Sequence, residues 1–184
     1  MRYFIILSFL IFSCTSDQIK ESNIDSKAQD ILSQMTLDEK VGQMAQINLT
    51  VIAKGPTKWS SSFPLEIDPK KTRKALVDFK VGSVLNTINN TAQKPETWFK
   101  TISEIQKYSM DSTRMGIPII YGIDAIHGTT YTDGATMFPQ QITTAASWNE
   151  ENAYNMALVC AYETRASGIP CLLYTSPSPR DNTG

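Results

Sequence analysis

The sequence of 184 residues predicts an α/β fold made of parallel βα units. Two patterns support this prediction. Segments with helical apolar spacing alternate with short runs that are apolar at every position, and such runs are typical of strands buried on both faces. The composition, 41% hydrophobic and 19% charged, fits a globular chain that can bury a core. We predict about three such units between residues 27 and 170.

Two helices are predicted at the start of this region. The first covers residues 27–35, with apolar residues at i, i+3, i+4 and i+7: Ala28, Ile31, Leu32 and Met35. Thr36 and Glu39 have the spacing of a capping box, in which each side chain satisfies a free amide of the first helical turn. We expect this second helix to turn Val41 and Met44 inward.

The third helix is predicted from Asp68 and Pro69, an N-cap followed by proline at the first helical position, to Phe79. It leads into a predicted strand at residues 81–85. Pro95 opens the next helix, which carries three residues on its inner face: Trp98, Ile102 and Ile105. A buried strand follows at residues 117–121, and Pro118 indicates that it starts late or lies near an end.

Asn149 is predicted to cap the last helix, which Gly168 and Pro170 end. Its expected inward residues are Ala153, Met156, Ala157, Cys160 and Ala161. A strand is due after Pro170, and residues 172–175 could begin one. Residues 48–67 and 122–148 are longer connections, and loops of that length in a compact domain are often functional.

The first 13 residues predict an export signal, with Arg2 before an apolar run that is too short to span a bilayer. Residues 11–14 resemble a bacterial lipobox, with Cys14 as the lipidation site, and polar residues 14–26 suit a tether. We therefore expect an exported bacterial protein, periplasmic or anchored at the outer membrane through Cys14. A buried N-terminal strand or helix is the alternative.

Composition also narrows the function classes. A net charge of −1 gives no electrostatic reason to expect nucleic acid as a partner. His127 is the single histidine, and Cys14, Cys160 and Cys171 are too scattered for a disulfide framework or a zinc site. A serine hydrolase using His127 is disfavoured, because the chain lacks a Gly-x-Ser-x-Gly elbow. We expect no metal.

The segment from Tyr121 to Pro139 holds the candidate site. It begins at the carboxyl end of a predicted strand, where parallel α/β enzymes place their active sites. Asp124 could accept two neighbouring sugar hydroxyls there, with Tyr121 or Tyr131 against the sugar ring. The other interpretation is that Asp124 caps a turn beside Gly122, and spacing alone leaves both open.

Five segments in order resemble the N-terminal domain of glycoside hydrolase family 3, over residues 25–170. They are Met35-Thr-Leu-Asp-Glu-Lys-Val-Gly-Gln-Met44, Val81-Gly-Ser-Val-Leu85, Ile117-Pro-Ile-Ile-Tyr-Gly-Ile-Asp-Ala-Ile-His-Gly128 with the later Thr136-Met-Phe-Pro139, Ala145-Ala-Ser-Trp-Asn-Glu150, and Glu163-Thr-Arg-Ala-Ser-Gly-Ile169. The resemblance implies a truncated (β/α)₈ TIM-barrel-like domain. It also implies retaining hydrolysis of terminal, non-reducing β-linked sugars, as in a β-glucosidase, without a cofactor.

The same resemblance assigns the residues. Asp124 matches the family aspartate that holds hydroxyls of the terminal sugar, and His127 is interpreted as a support that hydrogen-bonds the loop. The family's nucleophile and acid/base correspond to later segments, so we assign no catalytic residue here. Glu150, Glu151 and Glu163 are interpreted as solvent-facing or packing charges. Residues 171–184 depart from the family pattern and are interpreted as a non-native tail.

The expected partner is a β-linked oligosaccharide or glucoside. The fragment by itself is expected to be inactive. The alternative function is a surface lipoprotein that binds carbohydrate without catalysis.

Overall fold

The computed structural model describes residues 16–57 and 60–173, with the backbone alone for residues 16–23 and 173. The predicted signal peptide, Cys14 and residues 174–184 of the predicted tail lie outside these residues, whereas residues 171–173 of that tail form a strand of the sheet. The chain divides into two compact units, residues 1–35 and residues 36–184. Within the described ranges, no helix combines the length and the apolar character needed to cross a bilayer.

The described part of the first unit, residues 16–35, forms helix α1 (Ser16–Gln34). The predicted helix at residues 27–35 forms its second half, and residues 16–26, predicted as a tether, are helical as well. Two local hydrogen bonds fasten its last turn, from the side chains of Ser33 and Gln34 to the carbonyl of Asp30.

The second unit is built on a four-stranded parallel sheet in the order β1-β2-β3-β4. The strands are β1 (Gln46–Asn48), β2 (Ser83–Leu85), β3 (Ile120–Asp124) and β4 (Cys171–Leu173). Each strand lies beside its predecessor in the chain, as in a barrel, whereas a doubly wound sheet reverses its order near the middle.

The limits of all four strands differ from prediction, and β2 and β4 differ by one or two residues at an end. Strand β1 was not predicted, because its three residues include polar Gln46 and Asn48 and form no apolar run. Strand β3 begins at Ile120, later than the predicted residue 117, and it continues to Asp124. Pro118 has no amide hydrogen to give to a neighbouring strand, which agrees with the late start.

One helix of the second unit precedes β1, and the others lie in the connections between the strands. They are α2 (Leu37–Gln43), α3 (Pro69–Arg73), which continues as a π-helical turn (Lys74–Asp78), α4 (Pro95–Ser112), α5 (Gln141–Ala145) and α6 (Glu150–Ala166). The predicted caps are confirmed: Thr36 and Glu39 form the capping box, and the side chains of Asp68 and Asn149 accept main-chain hydrogen bonds. The short helix α5 lies in a connection predicted as loop.

The inward residues predicted for α2 are wrong, since Val41 and Met44 are 60% and 88% exposed. Its buried residues are Glu39 and Gly42. A Cβ at position 42 would lie 2.5 Å from the carbonyl oxygen of Lys80. Gly42 therefore faces the main chain of Lys80, and its lack of a side chain allows this close contact. Apolar spacing does not reveal a contact made by a glycine and a paired carboxylate.

The inward face of α6 is partly as predicted. Met156 and Cys160 are buried, whereas Ala153, Ala157 and Ala161 are exposed, so the prediction is wrong for the alanines. The buried stripe continues instead to Thr164, whose hydroxyl lies 2.7 Å from that of Thr129. This helix docks partly through hydroxyl groups, which an apolar pattern does not show.

The core contains residues of the sheet, of α4, of the π-helical turn after α3 and of the connection between β1 and α3. Trp98, Ile102 and Ile105 are buried as predicted. They form one cluster with strand residues that include Val84, Tyr121 and Ile123. The core thereby fixes the carboxyl ends of β2 and β3, where the candidate site lies.

Candidate active site

The carboxyl ends of β2 and β3 are neighbours in the sheet, with Leu85 in register with Gly122. The residue after β2 is Asn86, and the last residue of β3 is Asp124. Parallel pairing therefore brings these two side chains together at one edge of the sheet, although 38 positions separate them in sequence.

Two hydrogen bonds join Asn86 and Asp124. The Nδ2 amide of Asn86 donates to Oδ2 of Asp124 over 2.8 Å, and the main-chain N–H of Asp124 donates to Oδ1 of Asn86 over 3.1 Å. The partners fix the orientation of the amide, because a carboxylate can only accept and an N–H can only donate. Asp124 thus receives its side-chain bond from another side chain and not from a turn amide.

The second carboxylate oxygen of Asp124 differs from the first in its hydrogen bonding. Oδ1 is shielded from solvent and has no hydrogen-bond partner among the described residues. A buried acceptor without a partner is destabilising, by about 1–3 kcal/mol for a typical polar group. Oδ1 thus lacks the donor that a buried acceptor needs, and a sugar hydroxyl that reached it would supply one.

The aromatic ring that we expected against a sugar is not supplied by Tyr121. Its side chain is fully buried and packs edge-on against Trp98, with the ring centroids 5.8 Å apart. Burial raises the pKa of its phenol, and the hydroxyl donates to the carbonyl of Asn86. Tyr131 is partly buried against the core. The prediction is therefore wrong for Tyr121, whose role is to brace Asn86.

His127 lies on the loop after β3 and is exposed. Its Nδ1 is 3.0 Å from the carbonyl oxygen of Phe138, so this nitrogen carries the proton and donates. The N–H of Phe138 donates in return to the carbonyl of His127 over 2.9 Å. The ring of His127 therefore closes the loop across eleven residues.

Gly128 makes this closure possible. Its φ of +84° lies in the left-handed region that favours glycine. A Cβ here would lie 2.4 Å from the carbonyl oxygen of Thr136 and 3.0 Å from the ring of Phe138. The two arms of the loop approach each other too closely at this position for any side chain.

The far arm of the loop is tied to α6 by Glu163. Its carboxylate accepts the main-chain N–H of Thr136, at 3.1 and 3.0 Å to the two oxygens, and the Thr136 hydroxyl at 2.7 Å. We predicted Glu163 to be a solvent-facing or packing charge. Its contacts make it an anchor of the loop that carries His127.

Neither Asn86 nor the anchoring role of Glu163 was predicted from the sequence. An asparagine directly after an apolar run, at the same edge as Asp124, is a usable signal for the first. Asparagine also tolerates the left-handed backbone found there, where φ is +65°. No comparable signal marks Glu163, because its partner lies 27 residues away in an irregular loop.

Comparison with known proteins assigns a family to this arrangement. Residues 36–174 match the sequence model of the glycosyl hydrolase family 3 N-terminal domain. A lysosomal beta glucosidase of Dictyostelium discoideum is 29% identical, and the aligned region covers 83% of this chain and 19% of that protein. The chain thus spans about a fifth of this relative's length.

Two solved structures are similar. An exo-1,3/1,4-beta-glucanase from a Pseudoalteromonas species has a TM-score of 0.63 and 27% identity, covering 82% of this chain and 17% of that one. A beta-N-acetylglucosaminidase from a Paenibacillus species has a TM-score of 0.57 and 26% identity, covering 75% and 23%. This likeness confirms the predicted fold class, a truncated (β/α)₈-like barrel.

Proposed function

The chain belongs to glycosyl hydrolase family 3, and on that basis we propose that the complete protein hydrolyses terminal, non-reducing β-linked sugars. The proposed activity is that of a β-glucosidase. The similar proteins are named as a beta glucosidase, an exo-beta-glucanase and a beta-N-acetylglucosaminidase, which supports the β linkage more firmly than the choice of sugar.

The observation that carries the proposal is the hydrogen bonding of the Asp124 carboxylate. One oxygen of its carboxylate is bonded to Asn86, and the other is shielded from solvent without a donor from the described residues. A sugar with adjacent hydroxyls supplies donors to one carboxylate, and such charge-assisted hydrogen bonds are stronger than neutral ones. Asp124 is therefore the proposed substrate-binding residue.

His127 is the proposed support of this site. Its hydrogen bond to Phe138 ties the ends of the loop that follows Asp124, and it uses Nδ1 for this purpose. The exposed ring presents Nε2 as its second polar atom. In this role His127 keeps the loop in place and takes no part in bond breaking.

Bond breaking requires two further carboxyl groups. A retaining glycosidase uses a nucleophile and an acid/base about 5–5.5 Å apart. We assign neither role to a residue of this chain and propose that both come from later segments of the complete protein. The chain of 184 residues is accordingly proposed to be inactive by itself, and no cofactor is required.

Export and lipidation are part of the proposal as well. The apolar run before Cys14 and the lipobox-like residues 11–14 support a bacterial lipoprotein in the periplasm or at the outer membrane. Incorporation of radiolabelled palmitate into the protein, lost in Cys14→Ala, is the expected result. Equal labelling of both proteins, or no labelling of either, would contradict lipidation at Cys14.

The experiment that tests the activity is turnover of p-nitrophenyl glycosides by the complete protein. We expect release of nitrophenol from the β-glucoside, the β-xyloside or the N-acetyl-β-glucosaminide, with the β anomer of the sugar as first product by NMR. Binding of glucose without turnover of any of these glycosides would favour a carbohydrate-binding lipoprotein instead. An α anomer as first product would contradict retention.

A further inference from the structure

Asn86 has an unusual backbone for a residue that is not glycine. Its φ of +65° lies in the left-handed region, which costs most side chains about 1–2 kcal/mol. Asn89 and Asn90, three and four positions later, have φ of +51° and +50°. Asn89 binds the main chain at Ser61, whereas Asn86 is bonded to β3 through all of its polar groups.

Four hydrogen bonds connect Asn86 to β3. The N–H of Asn86 donates to the carbonyl of Gly122 over 2.9 Å, and its own carbonyl accepts the hydroxyl of Tyr121. The side-chain amide makes the two bonds to Asp124 described above. The left-handed turn after β2 is therefore locked to the neighbouring strand at three contact points, Tyr121, Gly122 and Asp124.

The side-chain amide suits this place for a chemical reason. Asp124 presents one donor, its main-chain N–H, and one acceptor, its carboxylate, on the side facing β2. A carboxamide offers an acceptor and a donor on one short planar group. An aspartate at position 86 would have no donor for the carboxylate of Asp124, and a serine would have one oxygen in place of two separate polar atoms. A glycine would permit the left-handed backbone but would make neither side-chain bond.

From these contacts we infer that Asn86 is a positioning residue, which sets the rotation of the Asp124 carboxylate for sugar binding. By occupying one lone pair of Oδ2, Asn86 fixes the carboxylate plane and determines which oxygen is left without a donor. This inference rests on the proposed function, in which Asp124 holds the terminal sugar.

The test compares two glycine variants of the complete protein. Asn86→Gly retains an accessible left-handed backbone and removes only the amide. Asn89→Gly is the matched control: it also has a left-handed asparagine and loses two side-chain bonds, but these go to Ser61. Melting temperatures show whether both variants are folded to a similar degree.

We expect Asn86→Gly to lower kcat/KM for the most active p-nitrophenyl glycoside by about 10- to 100-fold, the effect of a small misplacement of a binding group. Asn89→Gly should keep kcat/KM within about twofold at a similar loss of melting temperature. Equal losses of kcat/KM in the two variants, or no loss in Asn86→Gly, would overturn the inference.

A double-mutant cycle in kcat/KM distinguishes a positioning role from a general effect on the fold. If Asn86 acts through Asp124, then Asn86→Gly should cause almost no further loss in the background of Asp124→Asn. If the double variant instead loses kcat/KM by the product of the two single-variant losses, the residues act independently and the inference is overturned. If Asp124→Asn has no measurable rate, the comparison of Asn86→Gly with Asn89→Gly decides whether the inference holds. No turnover by the wild type would instead refute the proposed function, and the inference about Asn86 with it.

Discussion

Glu163 on α6 holds Thr136 by three contacts, two from its carboxylate oxygens to the main-chain N–H and one to the side-chain hydroxyl. Thr136 in turn lies against Gly128, the residue after His127. The pair therefore connects a helix on the outside of the domain to the loop beside Asp124.

Replacing Glu163 should loosen this loop more than it destabilises the fold. Glu163→Ala leaves exposed groups of Thr136 that water can solvate, so we expect a stability loss of about 1 kcal/mol or less. Amide hydrogen exchange at Thr136 and Phe138 should accelerate, because the anchor is gone. Glu150→Ala on the same helix is the control. Unchanged exchange at both amides would contradict the anchoring role.

Gly128 and Gly134 form a matched pair in this loop, with φ of +84° and +85°. A Cβ at Gly134 meets nothing within 4 Å, whereas at Gly128 it meets the carbonyl of Thr136 at 2.4 Å. We expect Gly134→Ala to cost about 1–2 kcal/mol for the left-handed backbone alone. Gly128→Ala should cost about 2–4 kcal/mol because the loop must also open.

Thermal or urea unfolding of the complete protein measures both variants. Only the difference between them reports the contact with Thr136, since the backbone strain is common to both. Equal destabilisation by the two alanines would show that the close approach at Gly128 is not important for stability.

The sequence predicted most of this fold for clear reasons. The N-caps Thr36, Asp68 and Asn149 make local hydrogen bonds, and local interactions can be recognised from neighbouring residues. The inward face of α2 was wrong because Glu39 is buried by pairing with Arg114, which lies 75 positions away. Such contacts leave no local pattern in the sequence.

Only the part of the candidate site that depends on local sequence features was predicted. Asp124 was found because it lies just past an apolar run, within a segment that resembles the family motif, and both are local features. Its partner Asn86 lies 38 positions earlier and is brought to it only by the pairing of β2 with β3. The burial of Tyr121 was missed because the alternation of faces along β3 cannot be assigned before the strand's limits are known.

Glu39 should give stability a dependence on acidic pH. Hydrogen bonds from the Arg114 guanidinium and from Thr36 lower the pKa of Glu39 from 4.5 to about 2 in the folded protein. The folded state thus favours the ionised carboxylate. Its stabilising contribution is complete above the unfolded pKa and is lost as pH falls through the folded pKa.

The variant Glu39→Gln isolates this effect. We expect the wild type to melt at a higher temperature than the variant at about pH 6, and the difference to shrink as pH falls from about 4.5 towards 2. Glu150→Gln, an exposed carboxylate at the start of α6, serves as control. A difference between wild type and Glu39→Gln that does not vary with pH would contradict this assignment.

The central claim is that Asp124 holds the substrate of a β-glycosidase, and kcat/KM of the complete protein for p-nitrophenyl β-glucoside tests it most directly. Asp124→Asn should lower kcat/KM roughly 100-fold or more, because each charge-assisted hydrogen bond to a sugar hydroxyl contributes about 1.5–3 kcal/mol. The control Asp133→Asn, an exposed carboxylate of the same loop, should stay within about twofold of wild type. A wild type that turns over the glucoside while Asp124→Asn matches it would contradict the claim.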